Sequence, residues 1–172
     1  MKRILFAMCA LFVCLATFAG DNIKIKSGKA AFMQQAVKVC VAFDWSNATW
    51  DNRQSLKEQL GADYDKYLKD GEASFIEGFQ KGAKTVTYTA NAGEAQYKIT
   101  VSVQALDYFF GMGTFAPGHK HKLTATITAT DASGNVVYTA YADTFTGGRD
   151  SVKYDSYKKC MKAAGEKVAS FK

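Results

Sequence analysis

Residues 123–145 read LTATITATDASGNVVYTAYADTF. Leu123, Ala125, Ile127 and Ala129 alternate with threonines at 124, 126, 128 and 130, the period of a strand that buries one face and hydrates the other. Asp131-Ala-Ser-Gly134-Asn135 supplies turn chemistry, and Val136–Phe145 supplies the return strand. A hairpin with one apolar and one hydroxyl-bearing face predicts an antiparallel sheet covered on a single side.

The same alternation runs upstream. Tyr97, Ile99, Val101 and Val103 alternate with Lys98, Thr100, Ser102 and Gln104. After Ala105 the apolar phase shifts to Leu106, Tyr108 and Phe110, which predicts a bulge or a bend. Val37, Val39, Val41, Phe43 and Trp45 share one face of a long strand, with Lys38, Cys40, Ala42 and Asp44 opposite. That strand ends in loop chemistry at Ser46–Thr49. Ile23–Ser27 reads as a short edge strand, and Thr85–Ala90 as a threonine-rich strand closed by a turn at Asn91–Glu94.

Two regions carry helical periodicity instead. Asp51 and Gln54 resemble a capping box, and the spacing predicts helix from about Asn52 to Lys81, with Leu56, Leu60, Tyr64 and Leu68 on one stripe. Phe75, Ile76 and Phe79 belong to a further helical piece; Gly61 and Gly71 are expected to interrupt the region and Gly82 to end it. After Gly147-Gly148, Asp150 or Ser151 is expected to cap a last helix. Its stripe is Tyr154, Tyr157, Cys160, Met161, Ala164, Val168 and Phe171, with lysines opposite. The order β-α-β-β-β-β-α predicts an α+β fold: one two-layer domain over residues 20–172, its sheet mainly antiparallel or mixed, its helices packed on one face.

A chain of 172 residues that is 48% hydrophobic and 22% charged, with a single proline, is an ordinary globular sequence. Those proportions exclude a disordered tail, a collagen and a polytopic membrane protein. Lys2 and Arg3, the apolar run Ile4–Phe18 and the small residues Thr17 and Ala19 predict a cleaved signal peptide over residues 1–19, and hence a periplasmic or secreted protein. The run is about 15 residues, short of the roughly 20 that span a bilayer, so no stable membrane anchor is expected. Cys9 and Cys14 lie inside the run behind Met8 and Val13 rather than behind a small residue at its end, which argues against a lipoprotein.

Two cysteines, Cys40 and Cys160, lie beyond that segment, and in an oxidising compartment they predict one disulfide. Such a bridge would bring the last helix to the Cys40 face of its strand, whereas Val37, Val39 and Val41 point the other way. Either both faces of that strand are buried or the cysteines stay apart. The formal charge of +6 is spread along the chain; it favours weak attraction to anionic surfaces and does not predict a nucleic-acid partner.

Candidate chemistry is sparse. His119 and His121, the only histidines, stand in Gly118-His-Lys-His-Lys122. An H-x-H pair can offer two imidazoles to a metal, with Asp107, Asp131 and Asp143 as further candidates, but a zinc site usually needs three or four ligands. Lys120 and Lys122 oppose a cation, so the expectation is a solvated loop. Gly111–Gly118 reads as a flexible connection, and Tyr108, Phe109, Phe110 and Phe115 beside it are candidates for partner contact. No phosphate-binding G-x-x-x-x-G-K-[ST] motif is present, Ser46 has no G-x-S-x-G context, and no cofactor is expected. Asp44, Asp51, Asp63 and Asp65 read as helix-cap and surface acids rather than a glycosidase pair.

The strand ending Phe43-Asp44-Trp45-Ser46, the helix after it, the hairpin LTATITATDASGNVV and the terminal KKCMKAAGEKVASF together resemble small exported proteins of unknown function from Bacteroidetes-type bacteria. In layout they are similar to penicillin-binding-protein activator lipoproteins, curli-secretion lipoproteins and the N-terminal domain of TolB. The resemblance implies a non-enzymatic accessory or binding module that meets an envelope protein or polymer, and it carries over no catalytic residue. Two other readings stay open: a small metal-dependent enzyme using His119 and His121, and a carrier of a small apolar ligand between sheet and helices.

Overall fold

The computed structural model describes residues 23–112, 117–146 and 150–172, so the segment expected to be a signal peptide and Phe115 lie outside the described residues. Strands β1 (Ile23–Gly28), β2 (Lys38–Asp44), β3 (Thr49–Trp50) and β4 (Gln54–Ser55) precede helices α1 (Leu56–Leu60) and α2 (Tyr64–Gly82). Then come β5 (Thr87–Tyr88), the long strands β6 (Tyr97–Met112), β7 (Pro117–Asp131) and β8 (Val136–Thr146), and helix α3 (Lys153–Ala169). The fold is α+β, with an eight-stranded mixed sheet whose main order is β1-β8-β7-β6-β2-β5, and with β3 joining β6 and β4.

The threonine hairpin forms as its alternation dictates. In the register Val101↔Ile127 and Ile127↔Ala140, the apolar residues line up on one face while Thr100, Thr128 and Thr139 line up on the other. Asp131 fixes the turn: its Oδ1 accepts from the backbone N–H of Ser133 and of Asn135, each at 2.9 Å, and Gly134 takes φ +84°. Opposite, the β6–β7 register jumps from Val103↔Ala125 to Ala105↔Thr124. This is the expected bulge, and it turns Leu106, Tyr108 and Phe110 onto the helix side. β1 pairs antiparallel with β8 at one edge. β2 lies parallel to β6, and β5 parallel to β2, so only β6, β7 and β8 form a meander.

The helical layer covers the apolar face. Phe75, Phe79, Tyr157, Met161, Ala164 and Val168 are buried there with Val101, Ile127 and Ala140. Backbone approaches backbone where α2 crosses α3: a Cβ on Gly78 would sit 2.0 Å from the Lys162 carbonyl oxygen, and one on Gly165 2.0 Å from that of Phe75. Gly71, expected as an interruption, lies inside α2, where the Tyr157 ring fills the space a side chain would need. Gly61 does break the region, at φ +52°, and Gly82 is the last residue of α2. The capping box belongs to Ser55 and Glu58 rather than Asp51 and Gln54: Ser55 Oγ accepts from the Glu58 N–H while Glu58 Oε2 accepts from the Ser55 N–H. The strand expected over Thr85–Ala90 shrinks to two residues.

Cys40 and Cys160 are both buried and are not bonded to each other, so the expected disulfide is not formed. Strand alternation explains it. Val39 belongs to the core cluster under the helices, which turns Cys40 to the opposite face, while Cys160 sits in α3 within that cluster.

The helix crossing is the most demanding contact in the layer. Gly78→Ala and Gly165→Ala should each lower unfolding free energy by about 2–3 kcal/mol. Gly111→Ala, where an added Cβ meets nothing within 4 Å, should stay within about 0.5 kcal/mol. Urea midpoints of the three variants check this directly.

Candidate functional site at the distal end of the β6–β7 ribbon

The described β7–β8 ladder runs to Lys122↔Thr146, and β6 and β7 continue together to Met112↔Pro117. Gly111 and Gly118 are therefore partners in a ladder, not parts of a flexible loop, and the remaining turn, residues 113–116, lies outside the described residues. His119 and His121 are likewise on a strand instead of a solvated loop. His121 faces Tyr108 across the ribbon and His119 faces Phe110. A short backbone bridge between His119 and Asp150 ties the ribbon to the start of α3.

On the helix side of this ribbon the rings form a continuous cluster. Tyr108 and His119 stack with centroids 5.8 Å apart, and Phe110 lies 5.0 Å from His119. Tyr108 Oη and His119 Nδ1 share a hydrogen bond of 2.6 Å. Deeper in, His121 is enclosed by Trp50, Tyr108 and Tyr157 at 5.9, 5.2 and 5.8 Å. The Lys153 ammonium closes the cluster from above, 4.7 Å from the Trp50 centroid and 4.3 Å from that of Tyr108.

Trp50 arrives there through a local device. Asp51 and Asn52 adopt φ +50° and +55°, a conformation costly for non-glycine residues. It is held by β6, since Asp51 Oδ1 accepts from the Tyr108 N–H at 2.7 Å and Asn52 Nδ2 donates to Asp107 Oδ1 at 3.2 Å. The β3 pairing Trp50↔Leu106 then puts the indole against Tyr108.

Proton positions around His121 follow from Ser156. The Ser156 hydroxyl donates its one proton to the Lys153 carbonyl oxygen at 2.7 Å, so at 2.8 Å it must accept from His121 Nδ1–H. That leaves Nε2 as a buried acceptor with no hydrogen-bond partner among the described residues. A nucleophilic serine needs the reverse polarity, with the imidazole accepting from the hydroxyl. Burial, then the charges of Lys153 and His119, hold the His121 pKa down at about 4, and the ring is neutral at pH 7.

Among the described residues no group of three or more His, Cys, Asp or Glu side chains converges. Asp107 faces away from the histidines on the opposite side of the ribbon, ion-paired with Lys122 at 3.4 Å, and Asp131 stands at the far end of β7. The side chain of Asp143 lies outside the described residues. Under the sheet, an apolar hollow lined by Phe32, Met33, Ile127, Tyr138 and Phe171 has room for about one water and for no organic ligand.

The sequence-nominated aromatics divide by position. Tyr108 is half-buried within the cluster, while Phe109 is 52% and Phe110 62% exposed, on opposite faces of the ribbon. Sequence reasoning missed Trp50, Lys153 and Ser156 as members of this site. The strand phase held one usable signal, since His121 precedes Leu123 by two residues and so shares its buried face.

No protein-family model matches the chain, and no curated protein matches it. Among solved structures it is similar to the PelC dodecamer from Paraburkholderia phytofirmans, with 18% identity over 83% of this chain and 95% of that one, at a TM-score of 0.46. A point variant of the same dodecamer gives 17% identity, the same coverage and a TM-score of 0.45. A homolog of a neuraminyllactose-binding hemagglutinin from Helicobacter pylori gives 9% identity over 83% of each chain, at a TM-score of 0.35. Likenesses this distant bring no function with them. No helix among the described residues is long and apolar enough to cross a membrane.

His121 makes stability depend on pH. The unfolded chain takes up the imidazole proton near pH 6.5 and the folded chain only near 4, so the contribution is complete above pH 6.5 and drains away as pH falls to 4. The full loss is about 3 kcal/mol. A His121→Phe variant, compared with the parent by urea unfolding at pH 7 and pH 4.5, should show a clearly smaller decline between the two.

Proposed function

We propose that this chain is an exported, non-enzymatic accessory module of a bacterial envelope, and that it meets a partner through the distal end of the β6–β7 ribbon. The observation that carries this reading is the pair Phe109 and Phe110, each more than half exposed near the end of the β6–β7 ladder, one on either face. Large aromatics on a ribbon fixed at its base give contact area at low cost in conformational freedom, and aromatic residues are enriched at interface cores. The stack Tyr108–His119–Phe110 keeps the Phe110 ring backed on one side, so its other side is the part left for a partner. The chemistry beneath supports a binding role: His121 donates to a serine rather than activating it, and its free nitrogen is sealed under rings.

The envelope setting rests on the N-terminal segment and on the sequence's resemblance in layout to penicillin-binding-protein activator and curli-secretion lipoproteins. Here the protein is soluble after export, since neither Cys9 nor Cys14 stands where a lipid would be attached.

In the native host, a photocrosslinking residue in place of Phe110 should give a discrete higher-mass adduct, which a second substitution, Phe109→Ser, should weaken several-fold. The same residue at Lys69, on exposed helix surface, should give none. The fractionated protein should begin at Gly20. An adduct pattern identical at the two positions would overturn the contact, and a cytoplasmic, uncleaved chain would overturn the setting.

A further inference from the structure

The face of the sheet turned away from the helices is paved with hydroxyls. Thr124, Thr126, Thr128 and Thr130 run along β7. Thr100 and Thr139 flank Thr128, while Ser102 and Tyr141 flank Thr126. All of these residues are half-exposed. At about 3.4 Å per residue the β7 row extends about 20 Å, with a hydroxyl about every 7 Å, and the neighbouring strands widen it to about 15 Å. Such a surface is flat, uncharged at its centre and rich in groups that both donate and accept.

Cations stand around this floor. Lys24, on β1, pairs with Tyr141, and Lys26, in the β1 bulge, places its ammonium 5.3 Å from the Tyr141 ring. Lys98 faces Thr130 at one end of the meander, and Lys120 faces the exposed Phe109 toward the other. None of these four ammonium groups has a carboxylate partner among the described residues. On the helical side, among the described residues, Lys66, Lys81, Lys158, Lys159 and Lys162 are each paired with an Asp or Glu, while Lys57 and Lys69 are not. Among the described residues the acids on or beside the open face are engaged: Asp44 by the Ser46 N–H and hydroxyl, Asp107 by Lys122 and Glu94 by Lys38. The four rim lysines therefore leave this face with a net positive charge among the described residues.

We propose that this hydroxyl floor and its lysine rim form a binding face for an extended, carboxylate-bearing glycan. Ammonium groups are point charges that meet a carboxylate from many directions, which suits a polymer without fixed register. The threonine and serine hydroxyls match the hydroxyls of a sugar chain laid across the strands. An anionic membrane would need an apolar wedge and a nucleic-acid strand a row of open aromatic platforms; the centre of the floor is hydroxyls, and the Tyr141 ring beside them is covered by the Lys26 ammonium. The face is distinct from the Phe110–His119 shelf, which lies on the helix side, so the proposal stands without the ribbon contact.

Binding of the purified protein to polygalacturonate, measured by biolayer interferometry, tests it. Binding should weaken about tenfold between low and physiological-to-high salt. A variant with Lys24, Lys26, Lys98 and Lys120 all changed to Gln should bind at least about tenfold more weakly at low salt while keeping the parent melting temperature. A charge-matched control with Lys57, Lys69, Lys84 and Lys172 changed to Gln, and Phe110→Ser, should bind like the parent. Neutral dextran should not bind. The proposal is overturned if polygalacturonate fails to bind, if dextran binds equally, or if the two quadruple variants behave alike. Tighter binding to duplex DNA or to phosphatidylglycerol vesicles than to polygalacturonate would overturn it as well.

Discussion

The close crossing of α2 and α3 governs the rest of the molecule. With Gly78 against the Lys162 carbonyl and Gly165 against that of Phe75, the two backbones nearly touch, and the helices act as one slab. Only then do Phe75, Phe79 and Tyr157 reach the sheet together, and only then does the Tyr157 hydroxyl meet the Tyr67 carbonyl oxygen at 2.9 Å. A wider crossing would leave that hydroxyl buried without a partner, at a cost comparable to a lost hydrogen bond. The slab also sets where α3 begins. Lys153 and Ser156 are delivered to the ribbon by the same contact that packs the core.

At the ribbon, polar groups are spent on enclosure. His121 gives its one N–H to Ser156 and is ringed by Trp50, Tyr108 and Tyr157, while Lys153 lies across two of those rings. The cation and the neutral imidazole are mutually consistent: the lysine charge helps keep the proton off His121, and the absence of that proton keeps the lysine from being repelled. The cluster therefore holds the base of the ribbon stiff while its outer residues remain in water.

Legibility followed the range of each interaction. The hairpin at Asp131–Asn135, the bulge after Val103 and the stripe of α3 are encoded within a few residues, and period alone reveals them. The left-handed pair Asp51-Asn52 is held from β6, more than fifty residues away, so a local reading turned its acid into a helix cap. Gly71 reads as a helix breaker until Tyr157 is placed over it. The cysteines show the opposite case. Alternation along β2 already set Cys40 against the valines, and that local signal was right where the compartment rule was not. For the site, the aromatic residues were visible as residues, but which of them meet the histidines depends on the β6–β7 register beyond the bulge.

The parallel placement of β2 has a consequence in time. Its neighbours β6 and β5 lie about fifty residues further along, and β1 finds its partner β8 only near the other end of the chain, as Ile23↔Ala142. A chain emerging N-terminus first thus presents two strands whose seats do not yet exist. The meander of β6, β7 and β8 can close from local contacts, whereas β1 must wait for it, and loop-closure entropy makes that last step slow. The lysines that alternate along Ile23–Gly28 keep the waiting segment hydrated and poorly suited to pair with a second copy of itself.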